Sequence, residues 1–184
     1  NEINTPEKVQ GQIWTQGQGK YTSHWLPSFD DVNEKVIFGL NITFHKSFKV
    51  VSNGILVNKK EIGDNISWQY QMQNPMSSYL LMLAIGHFAI QNETSKSKIP
   101  LENYYEKAFS NHVEPTYRYS TQIFDFLENE IGYAYPWQIY RQIPVHDFLY
   151  AGMENTSATI FSTDFVVDSI GYFDRNYLNV NAHE

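Results

Sequence analysis

The sequence predicts an all-β part followed by an α/β part, and three observations carry that prediction. Val36, Phe38, Leu40, Ile42 and Phe44 alternate with residues such as Asn41 and Thr43, the period-two pattern of a half-buried strand. Two apolar runs, 48–51 and 55–57, flank Ser52-Asn53-Gly54, and an Asn-Gly pair accepts the positive φ of a hairpin turn. Helical spacing appears only later, where Ile123, Phe124, Leu127 and Ile131 recur until Gly132 ends the pattern.

Taken in order, residues 12–16 read as a short strand and Gln16-Gly17-Gln18-Gly19 as a turn. Residues 25–30 form an aromatic loop punctuated by Pro27. Ile66, Trp68, Tyr70 and Met72 alternate with Ser67, Gln69 and Gln71 as a further strand. Residues 79–90 begin apolar on both faces, as a strand inside a sheet does. The polar stretch 92–98 reads as a connector, dividing the chain into 1–92 and 93–184. Beyond it, residues 101–105 read as a strand and Pro115 marks a helix start. Residues 140–145, 156–161 and 165–167 are strand-like, and Asp174 would cap a helix carrying Tyr177, Leu178, Val180 and His183.

Composition narrows the function classes. With 42% hydrophobic residues, the 184-residue chain has material for a sizeable core. A net charge of -7 lacks the basic stripe that a phosphate backbone requires, so no nucleic-acid partner is expected. The absence of cysteine excludes disulfides and thiolate metal sites. The longest apolar run, 79–86, is far short of the roughly 20 residues that span a bilayer, so no transmembrane segment is read. The chain opens on Asn1 without an initiator Met or a signal peptide, and a helical pattern runs uncapped to Glu184. A piece of a longer protein is therefore expected, with the compartment left open.

Two stretches carry chemistry. In Tyr150-Ala151-Gly152-Met153-Glu154-Asn155, Gly152 allows a ligand backbone to approach and Asn155 adds amide hydrogen-bonding capacity. Glu154 can pair there with a substrate ammonium, a charge-assisted bond worth about 1.5–3 kcal/mol. The second stretch, Ala182-His183-Glu184, would be the first half of a His-Glu-x-x-His zinc motif if a second His stood at position 187; taken alone, a His on a helix is more often structural than a ligand. The other histidines, His24, His45, His87, His112 and His146, lack ligand spacing and read as structural. An alternative from another class is a non-catalytic peptide- or glycan-binding module, or pseudo-enzyme, that uses Trp14, Trp25 and Trp68.

With these motifs in place, the chain resembles the gluzincin aminopeptidases, the family that includes membrane alanyl aminopeptidase and the bifunctional leukotriene hydrolase/aminopeptidase. Gly152-Met153-Glu154-Asn155 matches the family's exopeptidase motif, and Ala182-His183-Glu184 the opening of its zinc motif. Gln16-Gly17-Gln18, residues 25–30, Ser52-Asn53-Gly54, residues 75–79 and Tyr135-Pro136-Trp137 agree in order. The Gln-x-Gln element and Tyr150 are similar to the leukotriene hydrolase branch. One departure is Ala151, where the family usually has glycine.

The resemblance implies a β saddle or sandwich over 1–92, then the truncated start of a thermolysin-like α/β catalytic domain. It implies a zinc-dependent aminopeptidase acting on peptides with a free N-terminus. His183 would be the first zinc ligand and Glu184 the general base. Glu154 would bind the substrate's α-amine with help from Gln18. Gly152 and Met153 would align the peptide backbone, beside Asn155, and Tyr150 would line the first side-chain pocket. The remaining ligands would lie beyond Glu184, so the chain alone is expected to be inactive, without tight zinc, and prone to self-association through uncovered apolar surface.

Overall fold

The computed structural model describes residues 11–173 and 175–184. Its first strands are β1 (Ile13–Trp14), β2 (Lys35–Val36), β3 (Gly39–His45), β4 (Lys49–Ser52), β5 (Ile55–Ile62), β6 (Asn65–Gln71) and β7 (Met76–Ser77). There follow β8 (Leu83–Gly86), β9 (Phe88–Thr94), β10 (Pro100–Glu106), β11 (Tyr140–Val145), β12 (Gly152–Met153) and β13 (Ala158–Ser162). Helices α1 (Val113–Tyr117) and α2 (Ser120–Ile131) lie between β10 and β11, and α3 (Arg175–His183) comes last. Sheets dominate the first half, and a mixed α/β part follows.

The strands form four sheets. Two are three-stranded, in the orders β1-β8-β4 and β3-β6-β5, and β2 pairs with β7 alone. Strands β9 to β13 build a five-stranded sheet, in the order β12-β13-β11-β10-β9. Its three central strands are parallel, and the α1–α2 segment supplies the long crossover that parallel neighbours require. Its edges, β9 and β12, run antiparallel. Val51, Met82 and Ala84 from the first half pack with Tyr104, Ile143, Val145, Met153 and Ile160 from the second, forming one core across the two sheets. A second cluster, Val50, Ile66, Trp68, Tyr70 and Ile85, joins the two three-stranded sheets.

Several sequence expectations change on the fold. The alternating run 36–44 is two strands, because β2 leaves to pair with β7 while β3 pairs with β6. The hairpin expected at Ser52-Asn53-Gly54 is a corner between sheets: β4 pairs with β8 and β5 with β6. Gly54 has the positive φ that an Asn-Gly pair allows, +74°, and its Cα lies so close to Gln71 that a methyl would overlap that residue's carbonyl oxygen. The β5–β6 hairpin turns instead at Gly63, φ +62°.

Residues 79–90 are not one strand, since a 3₁₀ turn at Ser78–Leu80 precedes β8, and β9 starts at Phe88. The polar connector shrinks to a tight turn at 95–98, where Lys98 has φ 71°. Asn92 and Thr94 are in β9, paired with Glu102 and Pro100. Residues 163–165 form a 3₁₀ turn, capped by the Ser162 hydroxyl, rather than leading into a strand. The helix expected from Pro115 is two helices, with Pro115 in the first turn of α1. Gly132 ends α2 with φ +66° and an N–H to the Glu128 carbonyl. The expected cap at Asp174 lies outside the described residues.

The three tryptophans weighed as a binding platform are packing residues. Trp68 is buried with Ile66 and Tyr70, Trp14 meets Phe148 edge-on at 5.2 Å, and Trp25 packs on Met72, Met76 and Leu81. Among the described residues no helix is long and apolar enough to cross a membrane.

Candidate active site

The site is built on the edge strand β12. Its approach is set by packing: Trp14 donates its indole N–H to the His146 carbonyl at 3.0 Å, and Phe148 lies between Trp14 and Tyr150. The Tyr150 ring stands half out in solvent, at the lip of a cleft. Gly152 and Met153 pair with Phe161 and Ile160, and the Ser162 N–H reaches the Ala151 carbonyl at 3.0 Å. Strand alternation then sorts the side chains. Met153 goes into the core, Glu154 out to solvent, and Asn155 back in, at 1% exposure.

After Glu154 the chain turns sharply, with the Asn155 N–H on the Met153 carbonyl at 2.8 Å and the Ala158 N–H on the Asn155 carbonyl at 3.0 Å. Ser157 takes the left-handed conformation, φ 63°, unusual for a side-chain-bearing residue. The first half of the chain holds this loop from below. Asn53 donates to the Thr156 carbonyl at 2.7 Å, and the Gly54 N–H donates to the Ser157 hydroxyl at 2.9 Å. Asn155 donates to the Leu80 carbonyl at 3.3 Å, while its own Oδ1 is a buried acceptor without a partner.

Arg141 fixes the far side of the Ser52-Asn53-Gly54 corner. Its guanidinium donates to the Ser52 and Gly54 carbonyls at 3.1 and 2.5 Å and to Glu102 at 2.7 Å. Burial works against its charge, and Tyr104 and Glu102 outweigh burial, so the guanidinium is held above its ordinary pKa.

The opposite wall is the end of α3. Tyr177 anchors the helix at 5% exposure, and Asn181 donates to the Gln142 side-chain carbonyl at 3.0 Å. Gln142 in turn donates to Asn103 at 3.1 Å and to the Ser120 hydroxyl at 2.9 Å, which satisfies it inside the sheet. The Glu184 N–H still bonds helically to the Val180 carbonyl, at 3.1 Å. Its side chain lies flat on Gly152: a methyl there would be 2.7 Å from the Glu184 Cγ and from its Oε1. Glycine is what allows that approach.

Tyr150, Ala151, Gly152, Asn179, Val180, His183 and Glu184 thus line an open cleft of about 440 Å³. Burial raises the Glu184 carboxyl above its ordinary pKa and the Glu154 charge raises it further, with His183 opposing. Such a carboxyl is suited to taking and returning a proton.

The structure therefore brings Tyr150, Gly152, His183 and Glu184 together around the cleft. Glu154 is not among the lining residues; it stands outside, near enough for its charge to act on Glu184, between the buried neighbours Met153 and Asn155. Gln18 is not among the cleft's lining residues. It is exposed, and its backbone N–H bonds to the Gln16 side chain at 3.0 Å. Gln16 keeps a buried side-chain amide nitrogen without a partner, and neighbouring Gly17 packs against Tyr79. Asn53, Arg141, Gln142 and Asn181 were not singled out from the sequence as parts of the site. Each acts through a neighbour distant in sequence, and the one local signal, Asn53-Gly54, was read as a turn.

Zinc, which the motif implies, needs several donors. Among the described residues no group of three or more His, Cys, Asp or Glu side chains is placed to hold a metal ion. His183 offers one imidazole nitrogen at the cleft, a suitable donor but an incomplete set.

Known proteins give the arrangement a context. Residues 4–80 match the peptidase M1 N-terminal domain and residues 116–184 the peptidase family M1 domain. The chain is 31% identical to glutamyl aminopeptidase of Bos taurus over 133 residues, which is 71% of this chain and 14% of the relative. It is 29% identical to leucyl aminopeptidase of Saccharolobus solfataricus over 179 residues, 94% of this chain and 22% of the relative. Against aminopeptidase N of Streptomyces lividans the identity is 25% over 169 residues, 89% and 19% of the two chains. The chain thus spans about a seventh to a fifth of the curated relatives it matches. The N-terminal-domain match precedes the M1-domain match, and the three relatives are all named as aminopeptidases: the chain belongs to peptidase family M1.

Proposed function

We propose that this chain contributes the amine-recognition wall and the opening of the metal site of a zinc-dependent aminopeptidase. The observation that supports it most is the shared cleft, with Glu184 packed on Gly152 and close enough to Glu154 to feel its charge. A peptide lies extended along the free edge of β12, its backbone paired with Gly152 and Met153, as in strand addition. Glu154, exposed just past that edge, binds the α-ammonium and so limits cleavage to the first residue. Tyr150 borders the first side chain, and Gln18 assists from the β-sheet part. Residues 1–92 would serve as the β domain and 93–184 as the opening of the catalytic domain.

His183 would be one ligand of the zinc, which when bound supplies Lewis-acid polarisation of the scissile carbonyl. Glu184 accepts a proton from the attacking water and returns it to the leaving amine.

The experiment is Glu154→Ala in the full-length protein. It lowers kcat/KM on amino-acid anilides at least ~10-fold, the low end for a lost charged hydrogen bond. Unchanged anilide turnover would remove the role of Glu154. The 184-residue chain alone, with one ligand of the set, keeps less than stoichiometric zinc after dialysis and hydrolyses no anilide; stoichiometric retention would contradict this. Ile131 and Tyr133, exposed beside Ile123 and Leu127 along one side of α2, form the apolar surface through which it would self-associate, and a concentration-independent monomer in sedimentation would rule that out.

A further inference from the structure

We infer that Asn53, 101 residues before Glu154, is a positioning residue that sets where the amine-binding carboxylate stands relative to the cleft. The inference rests on the reading of Glu154 as the amine ligand.

Glu154 is exposed, so its position is inherited from its neighbours. On one side Met153 is fixed by β13. On the other, residues 155–157 rest on the Ser52-Asn53-Gly54 corner. Asn53 is 2% exposed and uses the side-chain amide on both sides. It donates to the Leu80 carbonyl at 3.0 Å and to the Thr156 carbonyl at 2.7 Å, and it accepts the Met82 N–H at 2.7 Å. The Leu80 carbonyl also takes the Asn155 side chain, so one oxygen ties the corner to the residue next to Glu154.

The corner itself is immobilised. Arg141 grips the carbonyls on either side of Asn53, and the Gln71 backbone leaves no room for a side chain at Gly54. No other residue type offers two donors and an acceptor in so short a planar group. Loss of those bonds strands a buried carbonyl and a buried N–H, and the Glu154 loop relaxes to repair them. A displacement of about 1 Å at a substrate-positioning group is enough to cost as much as ~100-fold in rate.

The test uses the full-length enzyme and amino-acid anilides. Asn53→Asp keeps the acceptor for Met82 and the shape of the side chain but removes both donors. We expect it to raise KM by about 10-fold or more, with kcat changed less, and Asn53→Ala to do the same. Ile66→Ala, in the core cluster around Trp68, serves as a control that lowers the thermal midpoint without changing KM. In a Glu154→Ala background the Asn53→Asp effect on KM disappears, because the carboxylate it positions is gone.

A KM increase of equal size in that background would overturn the inference, as would Asn53 variants that, like Ile66→Ala, only lower the midpoint. If Glu154→Ala itself left kcat/KM unchanged, the amine-ligand reading would fall first and the inference with it. Should neither Asn53 variant fold, hydrogen exchange on the wild-type enzyme decides. The Gly54 and Ala158 amides then exchange as slowly as those of β11; fast exchange at either overturns the inference.

Discussion

The loop that carries Glu154 and the helix that carries His183 and Glu184 come near each other by different means. The loop is held by a buried polar network drawn from both halves of the chain: Asn53, Gly54, Leu80 and, one step behind, Arg141 with Glu102. Among the described residues, the helix is held by the buried ring of Tyr177 and by the side-chain bond from Asn181 to Gln142. The difference follows from what each must do. A carboxylate that measures the first residue of a peptide needs a fixed distance from the reacting centre, and an exposed loop cannot supply that from its own contacts. A helix brings its own rigidity and needs only to be docked.

The strongest way to break this comparison is to remove Arg141. Arg141→Leu takes the guanidinium from two carbonyls and leaves Glu102 without its ionic partner, with the Tyr104 hydroxyl still donating to it. We expect a loss of about 3 kcal/mol in unfolding free energy, the low end for breaking a buried pair, since the Glu102 side chain keeps 24% exposure. Urea denaturation with an unchanged slope checks it, and a loss under about 1 kcal/mol would mean that the corner does not depend on Arg141.

Alkaline pH probes the same network without mutation. Burial pushes the Tyr70 hydroxyl up to about 12, with Arg141 pulling it down and Glu102 pushing it up. The unfolded chain ionises this tyrosine near pH 10, before the folded one does. Stability is therefore intact below about pH 9 and falls as pH rises from about 10 to 12, by about 2–3 kcal/mol from this group. Tyr104 and Tyr117, also raised by burial, act with the same sign. Thermal midpoints flat across pH 10–12 would show that these rings are more exposed than the structure places them.

On the helix side the effect is smallest. Asn181→Ala removes the only side-chain bond described between α3 and the sheet and leaves the Gln142 acceptor buried, for about 1–2 kcal/mol. If it cost more than Arg141→Leu, the contrast between the two walls would be reversed.

The same contrast explains how much was legible beforehand. The alternation of β3 and β6, the spacing of α2 and its stop at Gly132 are local, and local patterns showed them. Period two identifies a strand but not its partner, so the departure of β2 to a separate sheet and the extension of β9 through Thr94 were out of reach. Asn53-Gly54 displays the correct backbone conformation, yet positive φ serves a hairpin and a corner between sheets equally. Glu154 and Glu184 stood out because their motifs are contiguous. Asn53 did not, because Thr156, which it holds, lies 103 residues away.

The most direct measurement compares inhibition of the full-length enzyme by an amino-acid amide and by its N-acetyl derivative, in wild type and in Glu154→Gln. The wild type should prefer the free amine by at least ~10-fold, and the preference should vanish in the variant, because only the carboxylate reads the ammonium. An equal preference in both proteins would show that the amine is recognised elsewhere, and Glu154 would lose its role.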